Sequence, residues 1–478
     1  MSTRTEHTHL AASETPGHQL DRKLSQRHIR FIALGSAIGT GLFYGSSETI
    51  QAAGPAVLLA YIVAGAAVFV VMRALGELAV RHPVAGSFAQ YASRYLGPLA
   101  GFLAGWTFAL EMVIVAIADM TAVGTYMGMW FPQTPGWVWM LAAMLLIGGL
   151  NLMRVSVFGE LEFWFSLIKV ATIIAMIGGG LYLIAFGINT GGYEPGVHHL
   201  VDHGGFAPFG VWGIVMSLGI VVFSFGGIET LGTTAGEAKD PGTAIPRAVN
   251  AVPIRILLFY VLSLGVMFCL FPWDRIGSEG SPFVQVFAGL GIPAAEHIVN
   301  GVVLTAALSA MNSIIFAAAR TMYGLADQGH APEAFTRTTR FGVPLWPVVL
   351  IGACLVVGLG LYFWIPDQLF LVVASIATFA TVFTWGTILL SHTAMRRELR
   401  SAGQRPGAYA LPGAPVINWI ALAFLAAVVV ILAFSPSGRT ALVVGLVWLA
   451  LLLAGYRLWV RGAGREHAHL EVAPARGD

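Results

Sequence analysis

One lysine and five acids lie within or at the edge of long apolar stretches: Lys169, Glu77, Glu111, Asp119, Glu229 and Glu237. A charge taken out of water is tolerated only if it is paired or neutralised. Each therefore marks a structural ion pair, or a group that exchanges a proton or meets an ionic solute. Two glycine-rich runs accompany them, Gly35-Ser36-Ala37-Ile38-Gly39-Thr40-Gly41 and Phe223-Ser224-Phe225-Gly226-Gly227-Ile228-Glu229. Each glycine weakens a helix by about 1 kcal/mol relative to alanine, so both runs are expected to unwind. Unwound backbone offers bare N–H and C=O groups, and at membrane depth it survives only around a protein-lined or water-filled cavity. The chemistry suggested is the binding of a small ionic solute. The alternative is two packing clusters in intact helices.

The elements that position these residues follow from composition. Of 478 residues, 57% are hydrophobic and only 10% charged, with a mean hydropathy of +0.77. Soluble domains carry about 25% charged residues, so this is read as an all-α polytopic membrane protein whose solvent is the lipid bilayer. Charge-free stretches predict twelve spans, at about 29–50, 55–80, 98–128, 136–153, 160–186, 209–235, 247–272, 293–325, 345–363, 367–393, 416–434 and 440–460. All but three of the 26 Lys and Arg then fall on one side; Arg275 and Arg439 lie opposite and Lys169 in the membrane. The positive-inside rule puts both termini in the cytoplasm of a cell whose cytoplasmic (inner) membrane the chain crosses. A net charge of +2 without basic blocks gives no sign of a nucleic-acid partner, and Cys269 and Cys354 form neither a disulfide framework nor a CxxC site.

The two glycine runs lie five spans apart. An odd number of spans makes the second copy enter from the opposite side, which is the signature of an inverted repeat with a midplane site. The expected organisation is a tail at 1–28, a five-helix repeat at 29–208, an inverted repeat at 209–400, two helices at 401–460 and a tail at 461–478.

The segments AIGTGLF (37–43), HPVAGSFAQYASRYLGPLAGFLAGW (82–106), FGGIETLGTTAGEAKDPGTAIPRAV (225–249) and ARTMYGLADQGHAP (319–332) resemble the bacterial amino-acid permeases of the amino acid–polyamine–organocation superfamily. ALEMVIVAIADM (109–120) is most similar to the proline or histidine permease branch. The resemblance implies a LeuT-type five-plus-five core with helices 1 and 6 broken. It also implies uptake of an amino acid, histidine or proline in that branch, driven by the proton motive force. Carried over by position, Thr40 and Gly41, with Gly39 beside them, would bind the substrate carboxylate at the dipole end of the outer half of span 1. Carbonyls at Ala37, Phe223 and Gly226 would accept from the ammonium, with Phe223 as an aromatic lid, though an ordinary core aromatic is the plainer reading.

Lys169 lies about nine residues into span 5, or ~13 Å deep, too far for its amine to snorkel to water. It must face the protein interior, where it can release and recapture a proton or pair permanently with a carboxylate. By resemblance, a lysine here replaces the coupling sodium of sodium-driven relatives. Glu229, directly after the break, is the second proton candidate. Glu111 and Asp119 share a broad face of span 3, and Glu111 is expected to line the pocket. Ser309, Asn312 and Ser313 on span 8 and Ser375 and Thr378 on span 10 are candidate side-wall donors, or else interhelical hydrogen bonds. Glu77 and Glu237 are read as structural.

His198, His199, Asp202 and His203 could meet a metal, but a solvated loop is the expected reading and no metal site is assigned. No cofactor is expected. An enzyme would need a nucleophile or HExxH motif that is missing, and without a Gly-Lys pair there is no Walker A loop and no sign of an ATPase subunit. A channel would usually repeat a pore loop around an axis. The runner-up is a sodium-coupled or exchange-type transporter of another aromatic or neutral amino acid.

Overall fold

The computed structural model describes residues 39–83, 87–153, 155–189, 192–233, 241–276, 283–284, 287, 294–366 and 368–460. Ala37, Glu237, the start of span 1 and both tails lie outside the described residues. Among those described there is no strand, and nine helices are long and apolar enough to cross a membrane. Two shorter apolar helices, Gly136–Asn151 and Val416–Leu432, fall on predicted spans 4 and 11.

The long helices differ in how much of their apolar surface other helices cover, and that decides which can line a site. Burial reaches 78% for the apolar window of Glu296–Asp327 (span 8), 72% for Leu369–Ser401 (span 10) and 67% for Pro98–Trp130 (span 3), against 17% for Pro436–Leu458 (span 12). Spans 3, 8 and 10 are therefore the centre of the bundle, and span 12 lies at its periphery.

Several predicted boundaries move. Span 10 continues to Ser401 rather than stopping at 393, because Arg396 meets Glu77 instead of ending the helix in solvent. Span 5 starts at Val155 rather than 160, and Glu162 within it is fully buried. Helix precedes predicted span 7 from Pro241, and the span itself passes through a π-helical stretch, Leu257–Leu262. An additional short helix, Ser87–Leu96, joins spans 2 and 3. It is anchored by Phe88, edge-on to Phe108 with ring centroids 4.7 Å apart, and by Tyr91, whose hydroxyl donates to the His82 carbonyl at 2.7 Å.

Candidate functional site

The described start of span 1 meets an interrupted helix, span 6, at the centre of the bundle. In span 1, Gly39 is extended (φ −126°, ψ −163°) and helix begins at Thr40. In span 6, the helix Gly210–Phe225 ends, and Gly226 turns to φ −56°, ψ 144°. Gly227 then takes φ +89°, a region side-chain-bearing residues rarely enter, before a last turn at Thr230–Thr233. The break is held by its own residues: Glu229 accepts from the Gly227 N–H at 3.1 Å, and the Thr230 hydroxyl donates to the Gly227 carbonyl at 2.6 Å.

Between these two segments is a cavity. Gly39, Thr40 and Gly41 line it from span 1, and Phe223, Ser224, Gly226, Gly227 and Thr230 from span 6. Val115 and Asp119 of span 3, with Ala310, Ser313 and Ile314 of span 8, close the sides. Aromatic rings roof it. Phe223 stands edge-on to Phe370 at 5.8 Å, Phe370 to Tyr44 at 4.5 Å, and Tyr44 to Tyr126 at 6.0 Å. All four are on the side that the charge pattern assigns to the outside.

One carboxylate faces this space. The Thr40 hydroxyl donates to Asp119 Oδ1 at 2.6 Å, while Asp119 Oδ2 is buried without a hydrogen-bond partner. Lys169, fully buried, donates to Ser309 Oγ at 3.1 Å and lies 4.0 Å from Glu162 Oε1. Ser309 Oγ is 2.9 Å from both oxygens of Glu162, so its one hydrogen is shared between them. The lysine is thus paired with a carboxylate that the sequence reading passed over.

A second buried acidic group lies behind the span 6 break. Thr381 and Thr384 donate to Glu111 Oε1 and Oε2 at 2.6 and 3.0 Å, and Trp385 Nε1 donates to Glu229 Oε2 at 3.0 Å. The Glu111 and Glu229 carboxyls are themselves in hydrogen-bond contact. A Cβ at Gly226 would come within 3.7 Å of Glu111 Oε1, so Glu111 backs the break instead of lining the cavity.

The remaining candidates separate. Ser313 lines the cavity. Asn312 Oδ1 accepts from Asn151 Nδ2 at 2.8 Å, which ties span 8 to span 4. Thr378 donates to the Gly219 carbonyl of span 6 at 2.8 Å, and Ser375 to Leu371 of its own helix. Glu77 is structural: His392 Nε2 at 2.9 Å, the Leu411 N–H at 2.6 Å and Arg396 at 3.2 Å surround it.

A family model described as amino acid permease matches residues 28–467. An uncharacterized amino acid permease of Bacillus subtilis, YtnA, is 46% identical over 92% of this chain and 95% of its own. The aromatic amino acid transport protein AroP of Escherichia coli K12 is 43% identical over 95% of this chain and 98% of its own. A probable threonine/serine transporter of B. subtilis, YbxG, is 41% identical over 94% of this chain and 96% of its own.

Proposed function

The chain belongs to the amino acid permease family, and from that premise we propose that it imports an amino acid across the bacterial cytoplasmic membrane as a proton symporter working by alternating access. A family of permeases, not of enzymes, agrees with the lack of a nucleophile motif. The proposed frame is twelve spans in two inverted five-helix repeats plus two helices, with both termini cytoplasmic.

The observation that carries the reading is the cavity beside the span 6 break, whose lining brings helix-terminal N–H groups of span 1 together with Asp119, the Oδ2 of which has no hydrogen-bond partner. A zwitterion needs both. Its carboxylate fits the start of the helix at Gly39, Thr40 and Gly41, where the first N–H groups of a helix lack intrahelical partners. Its ammonium fits Asp119 Oδ2 and the carbonyls of Phe223 and Gly226, with Ala37 assigned by resemblance alone. Phe223 and the rings set edge-on beside it close over the side chain. Ser313 supplies a side-wall hydroxyl, while Ser309, Asn312, Ser375 and Thr378 shape the walls through their hydrogen bonds.

The proton is assigned to Lys169, with Glu229 next in line. Ser309 relays between the Lys169 amine and Glu162, and one helical turn along span 8 Ser313 meets the cavity. Loading or losing the proton therefore changes the seat of span 8 beside the substrate. The side chain carried is proposed to be a ring: histidine or proline by sequence resemblance, or aromatic by analogy with AroP. Glu111 would affect that choice through the shape of the break at Gly226 and Phe223. Uptake of each of the twenty amino acids into proteoliposomes, with an imposed proton or sodium gradient, tests the proposal. Accumulation driven by sodium alone, or by neither ion, would favour the coupled or exchange alternative.

A further inference from the structure

From the loop between spans 5 and 6 we infer that the protein carries a transition-metal site of the zinc class, built from His198 Nε2, His199 Nδ1 and Asp202 Oδ2, on the face that the charge pattern assigns to the outside. It does not depend on which solute is transported.

One ligand atom from each of these residues lies within 4.8 Å of the other two. In a tetrahedral site with bonds of 2.0–2.1 Å, ligand atoms stand about 3.4 Å apart, so closure needs side-chain movements on the order of an ångström. One of the two imidazoles has a nitrogen already committed. His199 Nε2 lies 3.0 Å from the Glu194 carbonyl, where it must carry the hydrogen, and this fixes the tautomer with a lone pair on Nδ1. A ring N–H donated to a backbone carbonyl is the usual outer support of a metal-ligating histidine. His199 is only 6% exposed, and its Nδ1 is buried with no hydrogen-bond partner. The loop is thus not simply a solvated histidine run, since a buried imidazole lone pair without a donor is unfavourable unless something binds it.

His198 is oriented by the backbone. A Cβ at Gly196 would come within 2.4 Å of His198 Nδ1, so a larger residue there would make the ring shift. The opposite nitrogen, Nε2, then faces Asp202 Oδ2 at 4.0 Å. The side chains of His198 and Asp202 are 50% and 46% exposed, which leaves the fourth position open to water and to an arriving ion. Two imidazoles and one carboxylate select zinc, nickel or copper over calcium and magnesium, which take oxygen ligands.

The loop is fastened to neighbouring elements. The Gly196 N–H donates to the Cys269 carbonyl at 2.8 Å, and Trp273 Nε1 donates to the His203 carbonyl at 3.1 Å. A Cβ at Gly54, at the outer end of span 1, would strike Pro208 at 2.5 Å, so the loop packs onto the span carrying half of the cavity. A bound ion would stiffen this cover.

The test uses the full chain, purified through a tag without histidine and titrated with Co2+ and then Zn2+. The wild type should show the visible absorption of one tetrahedral Co2+, displaced by Zn2+ and unaffected by excess Mg2+ or Ca2+. His198→Gln and Asp202→Asn change exposed side chains, and each should weaken zinc by at least roughly 10–100-fold and remove the absorption. His199→Ala should do the same. Equal affinity and spectrum in the wild type and the two exposed-residue variants would overturn the site and assign the metal to the tails. A wild type without saturable tetrahedral Co2+ would overturn it as well.

Discussion

The Ser224 hydroxyl donates to the Gly41 carbonyl at 3.0 Å, so spans 1 and 6 touch through one side chain and one backbone oxygen. The approach is closer than a methyl group allows: a Cβ at Gly41 would lie 2.5 Å from Ser224 Cα. Span 7 supports the contact, as the Tyr260 hydroxyl donates to the Ser224 carbonyl at 2.7 Å. Spans 1 and 6 are thereby locked in one spacing around the cavity.

Gly41→Ala is expected to force the helices apart, destabilising the protein by about 1–3 kcal/mol and abolishing binding of every amino acid. Gly39→Ala meets only Ala310 Cβ at an ordinary 3.7 Å and should leave thermal stability near that of the wild type. Fluorescence-detected size-exclusion melting and substrate binding would check the contrast. Equal behaviour of the two variants would remove the significance of the contact.

Lys169→Ala should abolish accumulation driven by an inward proton gradient while counterflow exchange survives. It also strands Glu162, which is buried, and breaking a buried pair costs about 3–5 kcal/mol. Adding Glu162→Gln should recover the melting temperature without recovering accumulation. A Lys169→Ala protein that still concentrates substrate under a proton gradient would move the coupling elsewhere, to Glu229 first.

Asp119→Asn should weaken all amino acids alike by roughly ten- to a hundredfold, the value of a charge-assisted hydrogen bond of ~1.5–3 kcal/mol. Glu111→Gln should instead weaken the ring substrate by a similar factor and spare small aliphatic competitors, because it acts through the break beneath Phe223. Competition binding over the twenty amino acids separates the two. A uniform shift for Glu111→Gln would make that residue structural.

With Cys269 and Cys354 replaced by serine, a single cysteine at Ala402 should react with an impermeant thiol reagent only from the cytoplasmic side. One at Val197, which is 70% exposed, should react only from outside. Labelling of position 402 from outside would invert the proposed orientation.

Glu77→Ala is expected to lower the melting temperature strongly, since the Leu411 N–H, His392 and Arg396 all converge on that carboxylate. Substrate KM in the surviving protein should stay unchanged, because none of these groups reaches the cavity. A shift in KM would tie the clamp to transport.

The features legible in the sequence were local. Adjacent glycines at 226 and 227 announced the span 6 break because no other residue takes φ +89° easily, and a lysine in a charge-free stretch announced its own burial. What escaped notice depends on chain-distant partners. Thr381, Thr384 and Trp385 sit in an apolar helix and signal nothing until the fold brings them to Glu111 and Glu229. Glu162 was missed for a different reason: it stands near an expected span end, where an acid looks solvated. Glu111 was placed in the pocket because helical geometry gives a face, not what lies across from it.

The pairing of Lys169 with Glu162 also bears on how the chain is made. Span 5 is synthesised before span 8, so Ser309 is not yet present when the insertion machinery meets this segment. A lone lysine at a helix centre costs about 2.5–3.5 kcal/mol on insertion scales. Glu162 is seven residues earlier, two helical turns back on the same face, and can serve as counter-charge within the nascent helix itself. Span 5 thereby reaches the lipid with a counter-charge for its lysine already in the same helix, and Ser309 joins that pair later.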